Sequence, residues 1–305
     1  MRVLVTGASG FIGWTCVRAL ASLDCEVHAV YRSGLMRNQP GVVWHRADLL
    51  KSGEISRLFL ETSPTHVIHA AWDVTRADYW ASSENLIWAE RSVELVCAAA
   101  NSKVQRVIGV GTCAEYGLEH EICDERSTPL RPIGSYAQSK LATHDMFNAA
   151  GGGLGLSTAW ARLFFPYGPD DKPGKLIPYA IRQLFRGEPA EFSDGLHVRD
   201  LLFASDVGGA IIALMCSNVV GPVNIASGIG LLVRDIVLRI GSMMGRPDLI
   251  RLDVREPGAM EARRWVASID RLRQEVGWRP TATLEGGLQK TISELTRTWH
   301  GIPGP

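Results

Sequence analysis

Neither sign of charge is in surplus in this sequence: 32 basic residues are matched by 32 acidic ones. A balanced surface sets up no long-range field to gather nucleic acid or an anionic membrane, so neither is an expected partner. Any charged ligand must be caught by a local group of side chains. Long apolar runs are also missing. The longest late run, 207–216, has ten residues, half of the about 20 that a membrane-spanning helix needs. Met1-Arg2 leads directly into Val3-Leu4-Val5 and a glycine turn, without the longer apolar stretch and small-residue cleavage site of a secretory leader. Cysteine is sparse: Cys16, Cys25, Cys97, Cys113, Cys123 and Cys216 form no CxxC pair. Without ligand spacing metal ligation is not expected of them, and they fit reduced thiols in a cytoplasmic protein. The eight histidines show no ligand spacing either. His66 and His69 flank Val67-Ile68 in a strand-like run, where positions three apart face opposite sides. Packing or hydrogen bonding is their expected role, and no metal site is expected.

What is present is enough apolar material, 46% of 305 residues, for a large domain with a smaller partner. The first half alternates β-branched runs with helical patterns. Strands are predicted at 3–6, 26–31, 42–46, 66–70, 106–111 and 157–163, and helices at 11–23, 53–61, 84–101 and 136–150. Such alternation predicts the α/β class, with right-handed crossovers producing a doubly wound parallel sheet covered on both faces. The cluster Gly151-Gly152-Gly153-Leu154-Gly155 reads as a turn between the last of these helices and its strand. After Pro166 proline and glycine become frequent and the alternation ends. Residues 1–165 are therefore read as a dinucleotide-binding Rossmann domain with a return segment near 200–226, entered by a return to the sheet at 201–215. Residues 166–305 are read as mainly substrate-binding. The final "GIPGP" reads as a loose tail.

The run "VLVTGASGFIG" sets Gly7, Gly10 and Gly13 directly behind the first strand and at the opening of a helix. Gly7 permits the tight turn, Gly10 lets the backbone approach a pyrophosphate, and Gly13 allows close helix–strand packing. Ser9, Phe11 and Ile12 complete the loop, and the helix N-terminus offers free N–H groups to the phosphates. The residue that selects between NAD(H) and NADP(H) falls at the tip of the second strand. Arg32 and Ser33 stand there in place of a carboxylate, so NADP(H) is favoured, its 2′-phosphate met by charge-assisted bonds. Asp48-Leu49 after the third strand and Ala70-Ala71 after the fourth are the remaining expected cofactor contacts, with Asp48 toward the adenine.

"SYAQSK" holds Tyr136 and Lys140 four apart in a helical setting, hence on one face. A free phenol has a pKa near 10, and a neighbouring ammonium stabilises its anion and opens it to proton transfer. Taken with "GVGTCAEYG" after the fifth strand, these motifs resemble the extended short-chain dehydrogenase/reductases, the nucleotide-sugar epimerases, dehydratases and reductases. "HAAW", Asn85, "RLFFPYGP", "VRDLLFASDV" and "VGWRP" carry the resemblance along nearly the whole chain. It implies that Thr112 hydrogen-bonds the substrate oxygen, Tyr136 exchanges the proton and Lys140 serves the nicotinamide ribose. It also implies that Arg199, with Arg255, meets the diphosphate of a nucleotide-diphosphate sugar.

Departures from the family pattern narrow the activity. Dehydratases carry an Asp-Glu pair after the catalytic Thr, and here Cys113 and Ala114 occupy those substrate-facing positions, so elimination is not expected. Phe165 replaces the family's Asn in "RxFNxYGP", and Ser268 stands where an Asp is frequent near the terminal "GW". The expected activity is NADPH-dependent reduction of a ketone on a nucleotide-activated 4-keto-6-deoxy sugar. The alternatives are an epimerase that retains its cofactor and, from another class, a non-catalytic dinucleotide-sensing regulator. Steroid-like or flavonoid-like ketones are further substrate classes of such reductases. The helices at 84–101 and 136–150 resemble the family's dimer-forming pair, so a homodimer is expected, with Trp88, Arg91 and Leu95 facing either the partner or the core.

Overall fold

The computed structural model describes residues 1–34, 37–76, 78–256 and 262–300; the tail expected at 301–305 lies outside them. Strand β1 (Arg2–Thr6) shows why a covered parallel sheet forms. Val3 and Val5 enter one apolar cluster and Leu4 another, because successive side chains point to opposite faces. A strand apolar at every position needs cover on both sides. The following elements supply it: α1 (Phe11–Leu20), β2 (Glu26–Tyr31), β3 (Val42–Arg46), α2 (Glu54–Thr62), β4 (His66–His69), α3 (Glu84–Ala100), β5 (Arg106–Thr112), α4 (Gly134–Leu154) and β6 (Ser157–Leu163). Trp14, Val17 and Leu20 of α1 pack on one face. Ile55 and Leu58 of α2, Trp88 and Leu95 of α3, and Phe147 of α4 pack on the other. Trp88 and Leu95 are thus core residues, while Arg91 bonds Glu90 and Glu94 on its own helix.

The chain continues through β7 (Phe165–Tyr167), α5 (Leu176–Phe185), β8 (Ala190–Glu191), β9 (Val198–Phe203), α6 (Ala204–Cys216), β10 (Gly221–Ile225), β11 (Gly230–Leu232), α7 (Val233–Met243), β12 (Ile250–Arg251), β13 (Arg264–Trp265) and α8 (Leu284–His300). Seven parallel strands run in the order β10-β6-β5-β4-β1-β2-β3. After β3 the chain crosses back over β1 to β4, and the crevice at the carboxyl ends of β1 and β4 is where ligands bind in doubly wound sheets. A smaller sheet, β11-β9-β13 with β7 beside β9, joins α5, α7 and α8 around a separate core that includes Ile181, Ile236, Ile240 and Leu288.

Two expectations need correction. Gly151, Gly152 and Gly153 continue α4, and the turn is made by Gly155, which caps the helix in the left-handed region at φ 70°. Glycine lowers helix stability without forbidding a helix, and packing of α4 on β5 and β6 holds the segment. Residues 201–203 do not rejoin the large sheet; they end β9 of the small one. The return is made by α6, which packs on α1, and by β10. At that contact a Cβ on Gly208 would stand 2.4 Å from the Thr15 carbonyl oxygen. Strand β10 begins Gly221-Pro222, a turn signal in sequence, and is tolerated because it forms the edge of the sheet.

His66 and His69 are hydrogen-bonded, the role expected of them. His69 bonds Thr6 Oγ1 and Ser92 Oγ at 2.8 Å each, and His66 bonds Thr65 Oγ1 at 3.0 Å. Among the described residues no group of three or more His, Cys, Asp or Glu could hold a metal ion, and no helix is long and apolar enough to cross a membrane.

Candidate active site

A cavity of about 570 Å³ opens along the carboxyl ends of β1, β4 and β5, with Gly7, Ala70 and Thr112 on its wall. The glycine turn is dictated by contact. Gly7 sits at φ 66°, and a Cβ there would lie 2.7 Å from the Ala71 backbone. A Cβ on Gly13 would lie 2.2 Å from the Gly7 carbonyl oxygen. Gly10 donates to that carbonyl at 2.9 Å and caps α1 without any side-chain capping bond, and the first helical turn holds no acidic residue. Gly10, Phe11, Ile12 and Gly13 all line the cavity. The helix therefore presents its uncapped, positive end to that space, a ready site for an anion. Because the Gly13 contact is with backbone, Gly13→Ala is expected to destabilise the fold by about 1–3 kcal/mol, the usual cost of overpacking. Urea unfolding of the variant would check this, and an unchanged midpoint would contradict the contact argument.

Tyr136 and Lys140 project from the first turns of α4 into the same cavity. Asn85 at the start of α3 fixes their surroundings. Its amide nitrogen donates to Tyr79 O at 2.7 Å, Ser82 O at 2.9 Å and Ser135 Oγ at 3.1 Å, and its oxygen accepts from Trp72 Nε1 at 2.9 Å. The result is an aromatic box around the phenol, with Tyr79 at 5.1 Å, Trp80 at 5.4 Å and Trp72 at 6.3 Å, each edge-on to Tyr136. Burial first, and then the neighbouring Tyr79, push the Tyr136 phenol above its ordinary range, while a hydrogen bond with Thr112 pulls it down. Lys140 Nζ donates to Val110 O at 2.9 Å and stands 3.8 Å over the Trp72 ring. Burial lowers its ammonium to about 7, against the opposing pull of Glu115.

Of the residues singled out in the sequence, the cavity gathers Gly7, Gly10, Phe11, Ile12, Gly13, Ala70, Thr112, Cys113, Ala114, Tyr136, Lys140 and Arg199. Arg199 is buried, donates to Val198 O at 3.0 Å and Ala262 O at 2.8 Å, and lies over the adjacent rings of Phe165 and Trp265 at 5.2 and 5.4 Å. Ser9, Arg32, Ser33, Asp48, Leu49, Ala71 and Arg255 are not on the wall. Asp48 accepts from the Leu50 N–H at 3.2 Å, a turn-stabilising contact. Arg255 lies 5.1 Å over the Tyr179 ring and bonds its hydroxyl at 2.9 Å, with Glu191 at 3.6 Å.

Arg32 is half-exposed and paired with Asp73 at 2.9 Å, a partner that sequence reasoning missed. Burial alone would raise the Asp73 carboxyl, but bonds from Thr75 and Arg32 outweigh it and hold it at about 2. Reasoning from sequence quoted Trp72 in "HAAW" without giving it a role and missed Tyr79 and Trp80, although "WDVTRADYW" after β4 is unusually aromatic. Asp171, Lys172 and Lys175 line the cavity too, and burial raises Asp171 to about 6 despite the two lysines.

A family model described as the NAD dependent epimerase/dehydratase family matches residues 3–227. The dTDP-glucose 4,6-dehydratase of Neisseria gonorrhoeae is 26% identical, over 95% of this chain and 94% of its own length. The UDP-glucose 4-epimerase of Azospirillum brasilense is 26% identical over 99% and 96%. Among solved structures, the Thermus thermophilus UDP-glucose 4-epimerase in complex with NAD superposes with a TM-score of 0.87 at 27% identity, covering 97% of this chain and 99% of that one.

Proposed function

The chain belongs to the NAD dependent epimerase/dehydratase family, and from that premise we propose that it is a ketoreductase, using NADPH to reduce a ketone on a nucleotide-linked deoxysugar with Tyr136 as proton donor. The observation that carries this reading is the wall beside the phenol: Thr112 is there, and the next two positions, Cys113 and Ala114, bring no carboxylate to it. Eliminating water calls for an acid and a base beyond the one donor. The Cys113 thiol, which burial pushes far above its usual range, stays protonated and is no substitute. Giving one proton to one ketone oxygen needs only Tyr136.

A nicotinamide dinucleotide, when bound, supplies the hydride. The residues that would hold it are the uncapped N-terminus of α1, whose positive end suits the pyrophosphate, Lys140 for the ribose hydroxyls, and Asp48 at the adenine end. Arg32 would take the 2′-phosphate in exchange for Asp73, which is the ground for favouring NADPH. Tyr136 does the rest of the chemistry. Its raised phenol pKa keeps it protonated at neutral pH, the state from which a general acid must start. Thr112 holds the ketone oxygen within reach of the phenol, and the Lys140 ammonium stabilises the phenolate as the proton leaves.

The rest of the cavity supports a diphosphate-bearing, hydroxyl-poor substrate. Arg199, Lys172 and Lys175 line it and supply positive charge for two phosphates. Trp72 and Trp265 spend their indole N–H groups on Asn85 and on Gly117 O, so their rings offer apolar surface alone. A ring hydroxyl pressed there would lose water without gaining a partner, at about 1–3 kcal/mol each.

The second reading, an epimerase, is favoured by the relatives of that activity. An epimerase holds its cofactor through oxidation and re-reduction, whereas a reductase releases it every turnover. Protein purified without added cofactor is therefore expected to be largely empty when its nucleotide is extracted and quantified. Near-stoichiometric retained dinucleotide would favour the epimerase.

A further inference from the structure

Glu115 is a carboxylate with no exposed surface, one turn beyond Thr112 in the short helical segment Cys113–Tyr116. One oxygen accepts from the Thr112 backbone N–H and from Trp160 Nε1, both at 2.9 Å. The other accepts from Arg162 Nε at 2.8 Å. Thr112 Oγ1 in turn accepts from the Ala114 N–H at 3.3 Å, closing a capping box. Glu115 and Arg162 are both fully buried. A pair so placed loses most of its Coulombic gain to desolvation, and an apolar pair of like volume stabilises a fold as well or better. Packing alone therefore does not account for a charge here.

Lys140 provides the reason. Its Nζ stands 6.0 Å from the ring of Trp160, the same indole whose N–H Glu115 holds. Among the described residues, the other titratable groups facing Lys140 offer no negative charge. His69 on β4, lowered by burial and by Lys140 to about 3, stays neutral at pH 7. His144, one turn further along α4, is also lowered by burial. Arg162 on β6 is a second cation, bonded to Glu115 and to Tyr116 Oη, and Tyr136 is protonated. We propose that Glu115 is a positioning residue for the proton-transfer pair, its carboxylate fixing the Thr112 backbone and supplying the counter-charge of the Lys140 ammonium. The inference rests on the reading of Tyr136 and Lys140 as that pair. Glu115 offsets the burial that holds Lys140 near 7. Without it the ammonium would be lost below neutrality, and a phenolate forming on Tyr136 would be uncompensated.

The test is carbon-13 NMR of labelled lysine, practicable with six lysines and Lys140→Met to assign the signal. Lys140 should titrate near 7 in the unaltered protein. Glu115→Gln keeps the shape and removes the charge, so the midpoint should fall by about one unit or more. Glu115→Asp keeps the charge and loses the contacts, and should leave the midpoint near its original value. A residue that only fills space would give the reverse ranking, with Asp the more disruptive. The ammonium is lost as pH rises through its pKa, so the alkaline fall in kcat with dTDP-4-keto-6-deoxyglucose should begin at lower pH in Glu115→Gln, with KM little changed. If that variant does not fold, the carboxyl carbon of Glu115 in the unaltered protein should show a step at the midpoint of Lys140 that vanishes in Lys140→Met. An unmoved Lys140 midpoint, a kcat profile that ignores the shift, or no such step would overturn the proposal. The NMR readouts need no turnover, so they stay informative even if Tyr136 is not the proton donor.

Discussion

Tyr136→Phe is expected to lower kcat for NADPH-dependent ketone reduction by ~10²–10⁴-fold, the usual weight of general acid catalysis, while dinucleotide affinity changes little. The substitution is clean here. The contacts of Tyr136 with Tyr79, Trp80 and Trp72 are contacts of the ring, which phenylalanine keeps. Its backbone N–H bond to Trp80 O at 3.2 Å is unaffected. Only the hydroxyl and its bond with Thr112 go. Turnover should therefore collapse without a matching loss in melting temperature or in NADPH binding measured by fluorescence. A variant that kept most of its turnover would remove Tyr136 from the mechanism.

Arg32→Ala is expected to weaken NADPH by roughly 10- to 150-fold, since a charge-assisted hydrogen bond contributes about 1.5–3 kcal/mol. NADH, which has no 2′-phosphate, should bind almost as before. The Asp73 pairing bears on both sides of this comparison. In the free protein Arg32 already has a partner at 2.9 Å, and exchanging it offsets part of the gain from the phosphate. In the variant Asp73 keeps its charge, because Thr75 still bonds it through backbone and side chain, and that charge repels the phosphate. Isothermal titration with both cofactors would separate the cases. Equal losses would mean that Arg32 acts through packing, and a preference of the unaltered protein for NADH would remove the basis of the NADPH assignment.

What the sequence made legible was whatever depends on short spacings. The six strands from β1 to β6 lie within a residue or so of their expected bounds, because β-branched runs closed by turn residues need no distant partner to be read. Gly7, Gly10 and Gly13, like Tyr136 and Lys140, belong to single turns of chain. What escaped notice depends on partners far away in sequence. Asp73 meets Arg32 across 41 positions, and Trp265, in a strand of two residues, reaches Arg199 from the far end of the chain. Strand β10 was hidden behind its Gly-Pro start, and the glycines of α4 were read by propensity where tertiary packing prevailed. Glu115 lay inside a motif already noted, and its role emerges only once Arg162, Trp160 and Thr112 converge on it.

The most direct test of the central claim is to incubate the purified protein with dTDP-4-keto-6-deoxyglucose, and with analogues lacking further ring hydroxyls, in the presence of NADPH deuterated at the transferable position. The account predicts one NADPH consumed per ketone reduced, deuterium at the new carbinol carbon, and faster turnover as hydroxyls are removed. Interconversion of sugar isomers with no net loss of NADPH, and with deuterium absent from the product, would contradict it and identify an epimerase.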